Sequence, residues 1–239
     1  MALTNINPFT TETAKSATLG QIYTDGSGRT FRYAKAGGSI LARGKLVVAA
    51  GEAANHKNMS FQAAPAVGDR DVKVTLGATA LTADQYKDGW FVVQDGTGEG
   101  RAYGVEGHAA ADSAATATIR LKEAIDTAGA TGELNCDLIL NIYDGLVISV
   151  TDQQDTPIGV PVVAVAASSY FWVQTGGPVS VLQDEVIAVG QAVTIGSSVA
   201  GAVELQDAAG EPQIGVVPMH ATVDTEYSLV NLTLDTPER

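Results

Sequence analysis

The chain has 239 residues, enough to bury a sizeable core in one large β domain or two small ones without metal or disulfide staples. Hydrophobic residues make up 45% and charged residues 17%, a balance that excludes a disordered tail. Acidic residues outnumber basic ones 27 to 14, for a formal net charge of −13, and no basic run occurs. A nucleic-acid partner, whose phosphates call for Lys and Arg, is therefore not expected.

Aromatics are scarce at 6%, and much of the apolar content is Ala and Val, which suits closely stacked sheets better than a deep ligand cavity. The acidic surface reads as a solvated face, or as one that docks on a basic patch of another protein. Cys136 is the single cysteine, so neither an intrachain disulfide nor a thiolate metal cluster is expected. Its setting beside an apolar strand predicts a half-buried residue. Met1 to Thr13 has no basic and no apolar region of a secretory signal. The apolar run from Ile158 to Ala167 is interrupted by Pro161 and is shorter than the roughly 20 residues that span a bilayer. A protein made in a cytoplasm, with no membrane partner, is the expectation.

In chain order, residues 1–17 are polar, rich in Thr and Asn, and without periodicity. They read as an extended arm or as a frayed terminus. As an arm, Asn5, Ile6, Pro8 and Phe9 are its candidate interface residues. Gln21-Ile22-Tyr23, the turn Asp25-Gly26-Ser27-Gly28 and Thr30-Phe31-Arg32-Tyr33 predict a hairpin, glycine supplying the positive φ of the turn. Asp71 to Leu76 alternates as a half-buried strand does. Trp90 to Gln94 and Arg101 to Val105 flank a glycine-rich turn and predict a second hairpin. Thr116 to Leu121 is another alternating strand, and Asp144-Gly145 is expected to join Leu138–Ile142 to Leu146–Val150 as a third hairpin. Helical periodicity is confined to Ala80–Lys87 and Lys122–Ala128, each expected to make about two turns.

One pattern occurs twice. Phe31-Arg32-Tyr33-Ala34-Lys35-Ala36-Gly37-Gly38 lines up with Tyr170-Phe171-Trp172-Val173-Gln174-Thr175-Gly176-Gly177. Ala42, Gly44 and Val47 follow the first copy; Ala188, Gly190 and Val193 follow the second. This reads as an internal duplication, or as convergence on a common strand–turn–strand grammar. The fold class that results is mostly β: a sandwich or barrel-like body with an inserted β-rich subdomain and an extended arm. The expected boundaries are 1–17 for the arm, 18–51 with 156–239 for the main β domain, and 52–155 for the insertion.

Residues that could carry chemistry are sparse. No Gly-x-Ser-x-Gly elbow occurs, and His56, His108 and His220 are isolated in sequence. No His pair has metal-ligand spacing, so no metal or other cofactor is expected. The Asp95–Gly100 loop lacks the closing acid of a calcium loop and the Lys of a phosphate cradle, and reads as a hairpin turn. Asp184-Glu185 and Asp152/Asp155 read as solvated loops rather than as facing glycosidase carboxylates. Tyr170-Phe171-Trp172 concentrates large side chains. Strand alternation puts Tyr170 and Trp172 on one face, either as core or as aromatic anchors of a subunit interface.

The stretch Ile158 to Leu182 resembles a segment of tailed-bacteriophage virion structural proteins, in which an element like Tyr170, Trp172, Gln174, Thr175, Gly177 and Pro178 follows an apolar strand. Leu76 to Thr79, Tyr86 to Trp90, Asp95 to Gly100, Leu138 to Val150 and Tyr227 to Leu232 are similar too, so the resemblance covers most of residues 70–235. It implies a capsid cement (decoration) protein that stabilises an icosahedral shell, partnered by the major capsid protein, residing on the virion and performing no catalysis. Residues 1–17 are then expected to lie across a neighbour, adding a strand to its sheet edge, and the β body to cluster as a homotrimer. A tail or fibre protein binding host-surface glycans is the alternative. A major capsid protein would need a long spine helix, and an enzyme ranks last.

Overall fold

The computed structural model describes residues 6–131, 135–151, 155–219 and 223–235. The chain divides into two compact units: Met1–Ala50 with Ile142–Arg239, called the host, and the inserted Gly51–Asn141. The host begins with β1 (Thr11–Glu12), β2 (Ile22–Thr24), β3 (Thr30–Lys35) and β4 (Val47–Val48). The insertion holds β5 (Met59–Phe61), β6 (Asp71–Thr75), β7 (Trp90–Val93), β8 (Arg101–His108), β9 (Thr116–Leu121) and β10 (Asn135–Ile139). The host resumes with β11 (Val147–Ile148), β12 (Pro157–Pro161), β13 (Tyr170–Leu182) and β14 (Ala192–Ile195). It ends with β15 (Val203–Leu205), β16 (Gly215–Val216) and β17 (Tyr227–Thr233). The fold is β-sandwich/barrel-like and almost entirely β, with no α-helix among the described residues.

The insertion is a closed antiparallel barrel in the order β10-β5-β6-β9-β8-β7, so none of its strands is left as a sheet edge. Alternation builds it. Val72 and Val74 of β6, and Ala117, Ile119 and Leu121 of β9, point inward, while Asp71, Lys73 and Thr75 face water. Phe61, Phe91, Tyr86 and Cys136 fill the interior with them. Cys136 is fully buried rather than half-buried, its thiol donating to the Met59 carbonyl. Gly89 is required by close approach, since a Cβ there would stand 2.2 Å from the Ile139 carbonyl oxygen.

The host is one sheet in the order β11-β4-β12-β13-β17-β16-β14-β15, with β1 and β3 also on β13 and β2 on β3. The long strand β13 organises it. Its first half pairs with β3 and its second half with β17, and an isolated bridge from Gln183 to Val203 brings β15 back beside its end. Val179, Val181, Val193, Ile195, Val203, Ile214 and Val230 pack in the volume so enclosed.

The β2–β3 and β7–β8 hairpins form as the turn signals predict. The third expected hairpin does not. Leu138 lies in β10, inside the barrel, whereas Val147 and Ile148 pair with β4 of the host. The Asp144-Gly145 turn is real, but the strands it separates belong to different units. Accordingly the insertion ends at Asn141, not at 155, and begins at Gly51. The two expected helices are absent as well. Asp84 and Asp88 adopt positive φ of 56° and 65°, which breaks the first, and the Asp84 N–H donates to the His108 carbonyl. In the second, the Ile125 N–H donates to the Asp69 carbonyl, outside any helical ladder.

The two copies of the repeated pattern meet: β3 and β13 pair antiparallel, with Tyr33 opposite Trp172. Their following turns match in geometry. Gly44 has φ +73° and Gly190 +85°, and Lys45 donates to Ala42 as Gln191 does to Ala188. The glycine pairs differ, for Gly37-Gly38 follows β3 whereas Gly176-Gly177 continues β13.

Candidate interaction surface

The largest gathering of aromatic side chains in the host follows from strand alternation. Phe31 and Tyr33 of β3 and Trp172 of β13 share one face and are buried with Leu19, while Tyr23, Tyr143, Tyr170 and Ile6 pack around them. Phe171 points the other way, into a separate cluster with Ala34, Val47 and Leu146. Tyr33 stacks on Tyr170 at 5.8 Å with nearly parallel planes, and meets Trp172 edge-on at 5.2 Å. Such offset and edge contacts add about 0.5–1.5 kcal/mol beyond the area they bury.

Cations rim this face. The Arg29 guanidinium lies 5.3 Å from the Phe9 ring and 5.7 Å from Phe31; Arg32 lies 5.8 Å from Tyr143, and Lys35 5.8 Å from Tyr170. Each cation also has a carboxylate. Arg32 grips Asp235 with two hydrogen bonds of 2.7 and 2.9 Å and donates to the Gly20 carbonyl at 2.8 Å. Those bonds hold the Asp235 carboxyl below the usual range despite its burial. Burial raises the pKa of Asp144, and Lys35 at 3.7 Å offsets only part of that. In the β2–β3 turn burial again opposes ionisation of Asp25, but hydrogen bonds from Ser27 and Arg29 win and lower it to about 2.

The N-terminal segment covers part of this face. Thr11 and Glu12 form β1 opposite Phe171 and Tyr170. The Tyr33 hydroxyl donates to Glu12 Oε2 at 2.8 Å and accepts from the Ser16 N–H at 3.0 Å. Of the residues marked in advance, Asn5 lies outside the described residues. Ile6 packs on the aromatic cluster, Pro8 is buried, and Phe9 is half exposed beneath Arg29. Tyr170 is partly buried, but Trp172 is only 4% exposed and serves the core rather than offering a free anchor. For the described residues, the arm expected to reach a neighbour is folded onto its own chain. Tyr33, Tyr143, Arg29 and Arg32 complete the site without having been marked. Phe31-Arg32-Tyr33 reads from the sequence as a hairpin strand and as a repeat, not as a site, and Tyr143 carries no local signal.

Of the remaining candidates, Asp152 and His220 lie outside the described residues, and the others have structural partners. In the barrel, the His56 Nε2–H donates to the Thr79 carbonyl at 3.1 Å, so its Nδ1 accepts from the Tyr86 hydroxyl at 2.7 Å. Asp184 accepts from the Ser198 and Val199 N–H groups, and Glu185 from the Leu205 N–H, so the two carboxylates close turns rather than face each other. In the 95–100 loop, Asp95 accepts from the Gly96 N–H, and the Gly100 N–H closes on the Val93 carbonyl as a hairpin turn. Among the described residues no group of three or more His, Cys, Asp or Glu is gathered to hold a metal, and no helix is long and apolar enough to cross a membrane. The arrangement on the host is a cohesive aromatic and cationic face suited to holding a strand. No protein-family model, curated protein or solved structure matches this chain.

Proposed function

We propose that this chain is a structural protein of a tailed-phage particle, a cement protein that binds and stabilises the icosahedral capsid. The resemblance of residues 70–235 to virion proteins motivates the reading. The observation that carries it is the N-terminal segment: a strand of two residues, added to β13 and tied to Tyr33 through Glu12 and Ser16. So short a ladder is readily exchanged for an equivalent one, and strand addition to a sheet edge is how an extended segment fastens one protein to another. On the assembled shell, residues 1–17 would leave their own β13 and lie on a neighbour, within a trimeric cluster. A ligand that binds only the assembled state stabilises it by mass action, with no turnover.

The test is occupancy on purified expanded shells. The full chain should bind at a fixed copy number and raise the shell's melting temperature. A chain lacking residues 2–17 should bind more weakly. Absence of binding by the full chain ends the capsid reading, and equal binding by both chains ends the role of the arm.

A further inference from the structure

A groove of about 560 Å³ in the host is lined by Arg43, Gly44, Pro161, Val162, Ser180 and Tyr227, among others. It runs along a piece of open strand edge, as the hydrogen bonds at the end of β13 reveal. The Gln183 N–H donates to the Glu226 carbonyl at 3.0 Å, on the β17 side, whereas the Leu182 N–H donates to the Gly44 carbonyl at 2.8 Å, on the other. Alternate residues of an antiparallel strand direct their main-chain groups to opposite sides. Ser180 lies two positions before Leu182 in the same unbroken ladder, opposite Leu229. Its N–H and C=O therefore turn away from β17, to the groove side. The carbonyl oxygen confirms the direction, lying 3.3 Å from where a Gly44 Cβ would stand.

Either side of Ser180 this edge is already used. Leu182 is bonded to Gly44, and the Pro178 carbonyl accepts from Gln174 Nε2 at 2.9 Å. Gly44 in turn donates to the Pro161 carbonyl at 2.9 Å, which fixes the far wall. Gly44 is irreplaceable in this position: its φ is +73°, and a Cβ would meet the Tyr227 ring at 2.7 Å. Tyr227 thus stands over Gly44 with half its surface exposed.

The second observation is charge. Arg29, Arg32, Lys35, Lys57, Lys87, Arg101, Arg120 and Lys122 all form ion pairs. Lys45 and Arg70 donate to main-chain carbonyls instead, and Arg43, exposed on the groove wall, shares with Lys73 of the barrel the lack of any such partner among the described residues, in a chain of net charge −13. A guanidinium left open beside an apolar floor selects a planar anion attached to something apolar.

We infer that this groove binds an extended acidic peptide segment of a partner protein. Its main chain pairs with Ser180, a carboxylate side chain meets Arg43, and a neighbouring apolar side chain lies against Tyr227, Pro161 and Val162. Edge pairing supplies affinity, and the charge supplies choice of sequence. This inference does not depend on the capsid reading, because it rests on the Ser180 end of β13, not on the β1 pairing with Tyr170 and Phe171 that carries that reading.

The test is an NMR titration of the nitrogen-labelled full chain with acetyl-Val-Glu-Val-amide. Shifts are expected at Gly44, Ser180 and Tyr227. Arg43→Ala should weaken binding about tenfold or more, with Arg43→Lys in between. Acetyl-Val-Lys-Val-amide should leave these resonances in place. Equal binding of the lysine peptide, or no shift from the acidic one at millimolar concentration, overturns the inference. So do the same shifts on concentrating the protein alone, which would seat a second copy in the groove.

Discussion

The backbone N–H of Tyr86 donates to Nε2 of the buried His108 at 3.0 Å, which makes that ring nitrogen an acceptor. Nδ1 therefore carries the proton and donates to the Ala109 carbonyl at 3.1 Å, and the imidazole is neutral. Protonation would set a ring N–H against the Tyr86 N–H. Burial lowers the His108 pKa from 6.5; the nearby His56 acts in the same sense, while the Ala109 hydrogen bond and Asp84 oppose it. The unfolded chain thus takes the proton more readily than the folded one. Stability is complete above pH 6.5 and falls as the pH drops through the folded-state value. Urea melts of the barrel at pH 7.5 and about 5.5 should show that loss, and His108→Gln, which keeps an acceptor, should reduce it. An equal loss in the variant would remove His108 as the cause.

The Arg32–Asp235 pair ties the end of the described chain to β3. Arg32→Ala should cost the host about 1 kcal/mol near neutral pH, a figure discounted for the partial exposure of both side chains. Asp235 is held below the ordinary carboxylate range, so its contribution is present above pH 4 and fades as the pH falls through the lowered value. Variant and parent should therefore converge in acid. A constant gap between their denaturation curves down to pH 2 would contradict this.

Burial, with Asp137 adding to it, pushes the Cys136 thiol up to about 12. The thiolate that reacts is then almost absent at pH 8. Iodoacetamide should label the native protein negligibly and should label it fully once urea unfolds the barrel. Rapid native labelling would mean that the barrel opens there.

At Gly89 an added Cβ would press on the Ile139 carbonyl oxygen. Gly89→Ala should destabilise the barrel by about 1–3 kcal/mol, the cost of overpacking a close-fitted site. A chemical-denaturation midpoint unchanged from the parent would show that β7 and β10 can part without penalty.

Tyr33→Phe removes the hydroxyl that both Glu12 and Ser16 use. The rings still stack, so the core should hold while the segment before β2 loosens. Limited proteolysis should cut within residues 6–17 several times faster than in the parent. Unchanged protection would mean that Pro8 and Ile6 hold the segment without Tyr33.

What could be read beforehand was what depends on neighbours in sequence. Val72 with Val74, and Ala117 with Ile119 and Leu121, announce one-sided burial through a period of two. The Asp25–Gly28 turn announces its hairpin. Partner choice is another matter. Asp144-Gly145 makes the same local turn whether the strands around it pair together or with others, so nothing near it reveals that β10 and β11 part company. Arg32 and Asp235 are separated by most of the chain, and no spacing rule joins them. The burial of Pro8 and Trp172 depends on that long-range assembly, which is why the local sequence leaves arm and frayed terminus, core and anchor, side by side.

The pairing of Val48 with Val147 places the whole inserted barrel where a hairpin loop would stand between β4 and β11. For the host, closing that pair means bringing together two points separated by all of the intervening chain. While the intervening chain is unstructured, the entropy of closing so long a loop opposes the step. Once the barrel has condensed, its strands β5 to β10 no longer count as free chain. Connectivity therefore favours an order in which the guest completes its own pairings before the host closes.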